Sequence, residues 1–524
     1  MRFKPIAATA VLLAVTLLAG CQTASQDDGA SASADADPTL VTTKYGQVQG
    51  ALEGDQVIFK GVPFAKPPVG DLRFAPPQEP DAWDGVKQTT AFAPVPVQTV
   101  DQEGLEQSED CLYLNLWKPA AEADEPLPVY VWIYGGGFTS GNPSKPTYST
   151  GAFSSDGIIQ VNLTYRVNAL GYLVSDELEA ENGYVGNAGL LDQIRGLEWV
   201  WDNIAAFGGD PGNVTIGGES AGSYSVSDLI MSPLVKGLFQ RAIMESGNLI
   251  GDAITSPLSN GDVDQLKGNT KRLMDTLGVY SLAGLRGLDA SAIAEASALS
   301  FDITKPSDEA FWPAHDGKAL PLDPAQALKD GQYNAVPILT GYNTDEGTMF
   351  VPDQVTDAIY EQTARVTFGQ NAQAYLARFP VDADHDARAR TAYIMTLGLR
   401  SGSAVFSEQF AADGHDVYAY NFNYRTPELD QKGLGAQHGL EIEFVFDTLS
   451  DDLSAYPEAV SLSQRIHRYW ANFIRTGNPN GSESDWAKYD QASKQNLVFD
   501  VTDAMKSVTG LDDVEFALGL VSNS

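Results

Sequence analysis

Two cysteines, Cys21 and Cys111, and five histidines are all that 524 residues offer of the side chains that most often cross-link a chain or ligate a metal. A disulfide framework is therefore excluded as the source of stability. No H-E-x-x-H or paired-cysteine zinc motif occurs, so neither metal nor cofactor is expected. Basic residues are also scarce: 33 Lys and Arg face 69 Asp and Glu, for a formal charge of -36. Phosphate backbones need Lys and Arg to neutralise them, which argues against nucleic-acid binding. The same imbalance disfavours acidic substrates and leaves the acidity as a solvated surface. The apolar run Ile6 to Ala19 is too short for a spanning helix, which needs about 20 residues. No internal repeat and no linker follows residue 40.

One stretch organises the rest. Asn213-Val214-Thr215-Ile216-Gly217-Gly218-Glu219-Ser220-Ala221-Gly222 is a β-branched run that breaks at glycines and gives way to the helix-compatible Tyr224 to Met231. It reads as strand, sharp turn, helix. Gly218 to Gly222 fit G-x-S-x-G, in which the glycines let strand and helix approach while the serine projects from the turn. Ser220 is the candidate nucleophile. A surface turn yields the same pentapeptide by chance, so its neighbours in the chain decide its meaning.

Upstream, Pro128 to Tyr134 is apolar almost throughout, as expected of a strand buried on both faces of a parallel sheet, and it runs into Gly135-Gly136-Gly137-Phe138. Glycines after a buried strand free backbone N–H groups to face a ligand, the arrangement of an oxyanion hole. Val57 to Ala75 reads as extended segments and loops, and Ser108 to Trp117 and Ile158 to Tyr165 as strands. Leu190 to Ile204 has helical spacing. Strands and helices alternate, so the class is α/β with a mostly parallel sheet. Further on, Val336 to Gly341 and Val417 to Phe422 read as strands. Lys267 to Ala294, Ala358 to Phe379 and Ser461 to Arg475 read as helices, and Val381 to Arg390 as a polar loop. A length prior suggests roughly three domains. Candidate chemistry nevertheless spans residues 134 to 438, so 40–524 is read as one catalytic domain.

A serine hydroxyl needs a base within hydrogen-bond reach and a carboxylate to hold that base. His315 precedes most acids that could serve, His385 and His415 lie in polar turns, and His467 sits on a helix. His438 occupies a glycine-bearing loop after a strand, the preferred place for a reactive residue on a rigid scaffold. The loop after Val336 to Thr340 offers two adjacent acids, Asp345 and Glu346, between which the residues alone do not choose.

The N-terminus reads as a targeting segment. Arg2 and Lys4 precede the apolar run, and Leu18-Ala19-Gly20-Cys21 resembles a bacterial lipoprotein cleavage box. The resemblance implies a signal peptide over 1–20 and a lipidated Cys21 that anchors the chain to the membrane. Gln22, standing where Asp would retain a lipoprotein in the inner membrane, implies an outer-membrane destination. Residues 21–39 are Ser, Ala and Asp with few large apolar side chains, and so read as a disordered tether.

Several segments together resemble the type-B carboxylesterases, the family of cholinesterases and bacterial para-nitrobenzyl esterases. They are Glu109-Asp110-Cys111-Leu112-Tyr113-Leu114-Asn115, Tyr134 to Phe138, Gly186 to Gln193, Asn203 to Pro211, Gly218 to Gly222, His438-Gly439 before Glu441 to Phe444, and Thr476 to Asn480. The resemblance covers about residues 40 to 500. It implies an α/β-hydrolase fold, with a large, mostly parallel central sheet flanked by helices, and a triad of Ser220, Glu346 and His438. The implied oxyanion donors are the N–H groups of Gly136, Gly137 and Ala221. Ser246 is implied to support the acid, and Arg73 with Glu109 and Arg166 with Asp192 are implied as structural ion pairs. The family commonly pairs the cysteine at Cys111 with an upstream one; here Ala93 to Gln98 has none, so Cys111 is expected free and buried. The expected reaction is hydrolysis of a small uncharged carboxylic ester through an acyl-Ser220 intermediate. The rivals are a binding or adhesion protein on the same fold, and a hydrolase of carbamates, amides or lactones. The loops Val97 to Gln107 and Leu299 to Pro313 are expected near the pocket, with Phe301, Phe311 and Trp312 packing the core.

Overall fold

A computed structural model describes residues 37–102, 104–248, 261–298, 310–481, 486–508 and 510–521. The signal segment, Cys21, nearly all of the tether and Phe301 lie outside the described residues.

The chain builds an eleven-stranded sheet. In spatial order its strands are Ala504–Ser507, Gln495–Phe499, Val417–Phe422, Ile338–Asn343, Arg241–Glu245, Gly209–Glu219, Leu127–Ile133, Ile159–Leu163, Tyr113–Pro119, Gln56–Pro63 and Ala51–Glu53. The run from Gln495–Phe499 to Ile159–Leu163 is parallel, and both edges are antiparallel. The central strands Ile159–Leu163, Ile338–Asn343 and Val417–Phe422 are buried at every position, which is why they read as continuous runs instead of alternating ones. A second, three-stranded sheet pairs Leu40–Thr43, Gly46–Gln49 and Val86–Gln88. Among the described residues no helix is long and apolar enough to cross a membrane.

Four expectations need correction. The stretch 267–294 is three helices, Val263–Leu277, Leu282–Arg286 and Ala290–Ala296, separated at Gly278 and Gly287. The stretch 358–379 divides at Gly369 into Asp357–Phe368 and Ala372–Arg378. The strand expected from Ser108 begins only at Tyr113. Val381 to Arg390 is not all loop: Asp386 caps Ala387–Ala412, accepting from the Ala389 N–H at 2.8 Å. Its acidic approach masked the start of the helix, and the strand Arg241–Glu245 was missed.

That 26-residue helix braces the loop at 345–347. Thr396 Oγ1 accepts the Gly347 N–H at 3.0 Å, and a Cβ on Gly347 would stand 1.9 Å from the Ala392 carbonyl oxygen. Behind it, Phe368, Tyr375, Ile394, Leu397 and Val514 form a satellite core. Both expected ion pairs are present. Arg73 holds Glu109 at 2.5 Å and also donates to the carbonyls of Leu285, Arg286 and Leu288. Arg166 meets the fully buried Asp192 through its backbone N–H at 3.0 Å, Nε at 2.7 Å and Nη2 at 2.7 Å. Cys111 is a free, buried thiol whose pKa is pushed up by burial.

Removing one partner of a buried pair strands the other charge, at a cost of about 3–5 kcal/mol. The Arg166 guanidinium cannot shed its proton, whereas an orphaned Asp192 can take one up. Thermal unfolding of Asp192→Ala is therefore expected at a clearly lower temperature than that of Arg166→Met. Equal transitions would show that the charge itself is not what the pair stabilises.

Candidate active site

The strand Gly209–Glu219 ends against its own following helix, Ala221–Met231, with a single residue between them. This closeness needs glycine. A Cβ on Gly222 would stand 2.0 Å from the Ile133 carbonyl oxygen, and one on Gly218 would stand 2.5 Å from Gly222 backbone atoms. Ser220 holds the turn at φ 55° and ψ -126°, a conformation that costs a non-glycine residue about 1–3 kcal/mol and persists only where its surroundings enforce it. Its N–H is tied to the Glu245 carbonyl at 3.0 Å, and its half-buried side chain faces a cavity of about 500 Å³.

The same cavity gathers the other expected groups. Gly136, Gly137, Ala221 and His438 all line it. Gly136 and Gly137 take positive φ values of 123° and 63°, and the Gly136 carbonyl accepts the N–H groups of Thr139 and Ser140, both at 3.1 Å. That turn leaves the Gly136 and Gly137 N–H groups without a bonded backbone acceptor among the described residues. Ala221 is the first residue of its helix, where the N–H has no intrahelical acceptor.

His438 Nδ1 is 2.5 Å from Glu346 Oε2, and Glu346 Oε1 accepts the Asn343 N–H at 2.7 Å. Asp345 turns away, its Oδ2 accepting the Ala436 N–H at 2.9 Å. The structure thereby separates the two neighbours between which residue chemistry alone does not choose. Ser246 donates to Glu441 Oε1 at 3.1 Å. It reaches Glu346 only by relay, because the Asn343 side chain donates to Glu441 while the Asn343 backbone donates to Glu346.

Sequence reasoning missed three acids. Glu219 and Glu441 are buried near His438, and Glu245 is buried within the field of both. Glu219 Oε1 lies 3.1 Å from His438 Nε2, although neither atom makes a hydrogen bond, so Nε2 is not bonded to Ser220. Burial pulls the His438 pKa down, but the carboxylates of Glu219 and Glu346 outweigh it and hold it up at about 10. Burial raises Glu219 to about 7 against the opposing pull of His438. Glu441 is raised to about 8 by burial and by its acidic neighbours. Glu245, whose Oε1 accepts from Trp470 Nε1 at 2.8 Å, is pushed well above the carboxylate range by burial. The only signal in the sequence was position: Glu219 precedes the elbow serine, and Glu441 follows His438-Gly439.

The remaining histidines are placed elsewhere. His467 is bonded through both nitrogens, to Val445 and Asp156, and His385 joins Asp382 in an exposed turn. Trp312, expected in the core, is buried and also lines the cavity, as do Thr99 and Val100 from the 97–107 loop; Phe311 is core. Among the described residues no cluster of His, Cys, Asp and Glu could hold a metal ion.

The Carboxylesterase family model matches residues 37–517. The chain is 35% identical over 482 residues to para-nitrobenzyl esterase of Bacillus subtilis (strain 168), covering 88% of this chain and 94% of that protein. It is 34% identical over 482 residues to fumonisin B1 esterase of Sphingopyxis macrogoltabida, covering 87% and 85%. To the medium-chain fatty acyl-CoA hydrolase precursor of Anas platyrhynchos it is 34% identical over 518 residues, covering 88% of each. A solved PNB esterase structure superposes with a TM-score of 0.81 at 31% identity, over 92% of this chain and 100% of that one. With the family pattern running through nearly all of the described residues, the chain belongs to the carboxylesterase family and carries the α/β-hydrolase fold.

Proposed function

We propose that the protein hydrolyses carboxylic esters through an acyl-Ser220 intermediate. The observation that carries this reading is the buried His438–Glu346 contact at 2.5 Å, opening on the cavity that holds Ser220. Ser220 Oγ attacks the ester carbonyl as His438 Nε2 takes its proton, and the carbonyl oxygen gains negative charge. The N–H groups of Gly136, Gly137 and Ala221 receive that charge. Glu346 holds the imidazole by Nδ1 and stabilises its cationic form. The C–O bond to the alcohol then breaks, His438 returns the proton to the departing alcohol, and water activated by His438 releases the acid from Ser220.

For Nε2 to serve, it must leave Glu219 and turn to Ser220. The base must also be neutral, so kcat/KM rises with pH through the His438 pKa. We also propose, from the pattern of residues 1–21 alone, that the enzyme is exported and anchored by lipid on Cys21.

Para-nitrophenyl esters of increasing acyl length are expected to be turned over. Ser220→Ala is expected to lose about a thousandfold or more, and Glu346→Gln about ten-thousandfold. Folded protein inactive on every chain length would favour a binding protein instead. In Glu219→Gln the loss of an anion beside Nε2 destabilises imidazolium, so the acidic limb of kcat/KM should move to lower pH by about one pH unit. An unmoved limb would mean that Glu219 carries no charge in the free enzyme. Radiolabelled palmitate should be incorporated by the intact chain and not by Cys21→Ser; labelling of both would overturn the anchor.

A further inference from the structure

Among the described residues lining the cavity, Lys145 is the only lysine or arginine. It makes no ion pair with any described carboxylate. Other described lysines also lack an ion pair; what sets Lys145 apart is that it lines the cavity beside Ser220.

Nor does Lys145 hang from a loose loop. Asn142 donates to Gln102 at 2.7 Å and its side-chain oxygen accepts the Ser144 N–H at 2.7 Å. Asn115 donates to Ser144 Oγ at 3.2 Å, Asn162 to the Pro143 carbonyl at 3.0 Å, and Tyr148 Oη to the Asn142 carbonyl at 2.7 Å. The Lys145 carbonyl itself accepts the N–H groups of Tyr148 and Ser149. These bonds hold the chain on both sides of the lysine, so its Cα is fixed where the residue lines the cavity. Its field reaches the carboxyl of Glu219, next to Ser220.

We infer that Lys145 is a specificity residue that binds a carboxylate carried by the ester substrate, so that the enzyme prefers anionic esters to their neutral counterparts; this rests on the esterase reading above. The overall charge of -36 argues the other way only at long range. Surface charges are screened over about 8 Å at physiological salt, whereas a half-buried ammonium inside a cavity acts at contact. The carboxylate can belong to the acyl side or to the alcohol side of the ester, and the chemistry that recognises it is the same.

Two matched pairs separate these sources, with products followed by liquid chromatography. The acyl arm compares benzyl hydrogen adipate with the benzyl ester of adipic monoamide. The alcohol arm compares 4-acetoxybenzoate with 4-acetoxybenzamide. In at least one arm the wild-type ratio of kcat/KM, carboxylate over carboxamide, should fall about tenfold or more in Lys145→Gln, as for loss of a charge-assisted hydrogen bond. Lys145→Arg, which keeps the charge, should preserve most of the preference and shows that the loop tolerates substitution. A ratio unchanged in both arms overturns the inference. So does an equal change in carboxylate and carboxamide, which would mean that Lys145 only offsets the charge of Glu219. Benzyl hexanoate serves as the neutral reference: failure of the wild type on every ester would overturn the esterase reading itself, whereas its turnover without a Lys145-dependent preference would overturn only this inference.

Discussion

Three buried carboxyl groups crowd one buried imidazole, with a fourth, Glu245, acting on two of them, and the rest of the site depends on how their charge is balanced. Glu219, Glu245, Glu346 and Glu441 are each under 7% exposed, and His438 is 9% exposed. Isolated anions cannot be kept in such a place, because each loses its hydration without gaining a counter-charge. Burial favours the neutral form of several of these carboxyl groups, and nearby donors satisfy others. Glu245 sits against Trp470 and the aromatic interior, where its neutral form is favoured, and Glu441 takes donors from Ser246 and Asn343. The imidazole is left between two carboxyl groups, one at each ring nitrogen. Glu346 at Nδ1 is immobilised by the Asn343 N–H, while Glu219 at Nε2 has no aligned hydrogen bond to hold it there. The asymmetry matches the two demands of the proposed reaction, a fixed orienting side and a side free to exchange partners.

The scaffold supplies these positions from the ends of parallel strands. Gly209–Glu219, Arg241–Glu245 and Ile338–Asn343 are neighbours in the sheet, and they deliver Ser220, Ser246 and the Asn343–Glu346 turn to one edge. Such crevices beyond the carboxyl ends of strands are where open α/β sheets bind ligands. The Ala387–Ala412 helix then presses on the turn from the side, so the carboxylate nearest the imidazole is held by packing as well as by hydrogen bonds.

What could be read in the sequence, and what could not, divides along physical lines. Ser220 was legible because the elbow needs glycines at fixed offsets, and Gly218 and Gly222 show why: no other side chain fits against Ile133. The central strands were legible because burial on both faces leaves no polar positions. Glu346 and Asp345 could not be told apart by residue chemistry, and only the family resemblance favoured Glu346, since adjacent acids differ only in which one the turn directs inward. Glu219 and Glu441 were hidden by composition: in a chain with 69 acids, two more look like solvated surface. The Ala387–Ala412 helix was obscured for a related reason, because its capping Asp386 belongs to a polar run that mimics a loop. Lys145 gives no sequence signal at all, and its meaning comes entirely from the wall on which it stands.

The contact between His438 and Glu346 joins residues 92 positions apart, and Ser220 lies farther back still. Parallel pairings of this kind form late, because loop-closure entropy must be met before any contact rewards it. A chain released before residue 438 has followed would carry Ser220 without His438 beside it. In the proposed reaction Ser220 therefore gains its base only once the chain through residue 438 has folded, so the long separation in sequence ties reactivity to the finished fold.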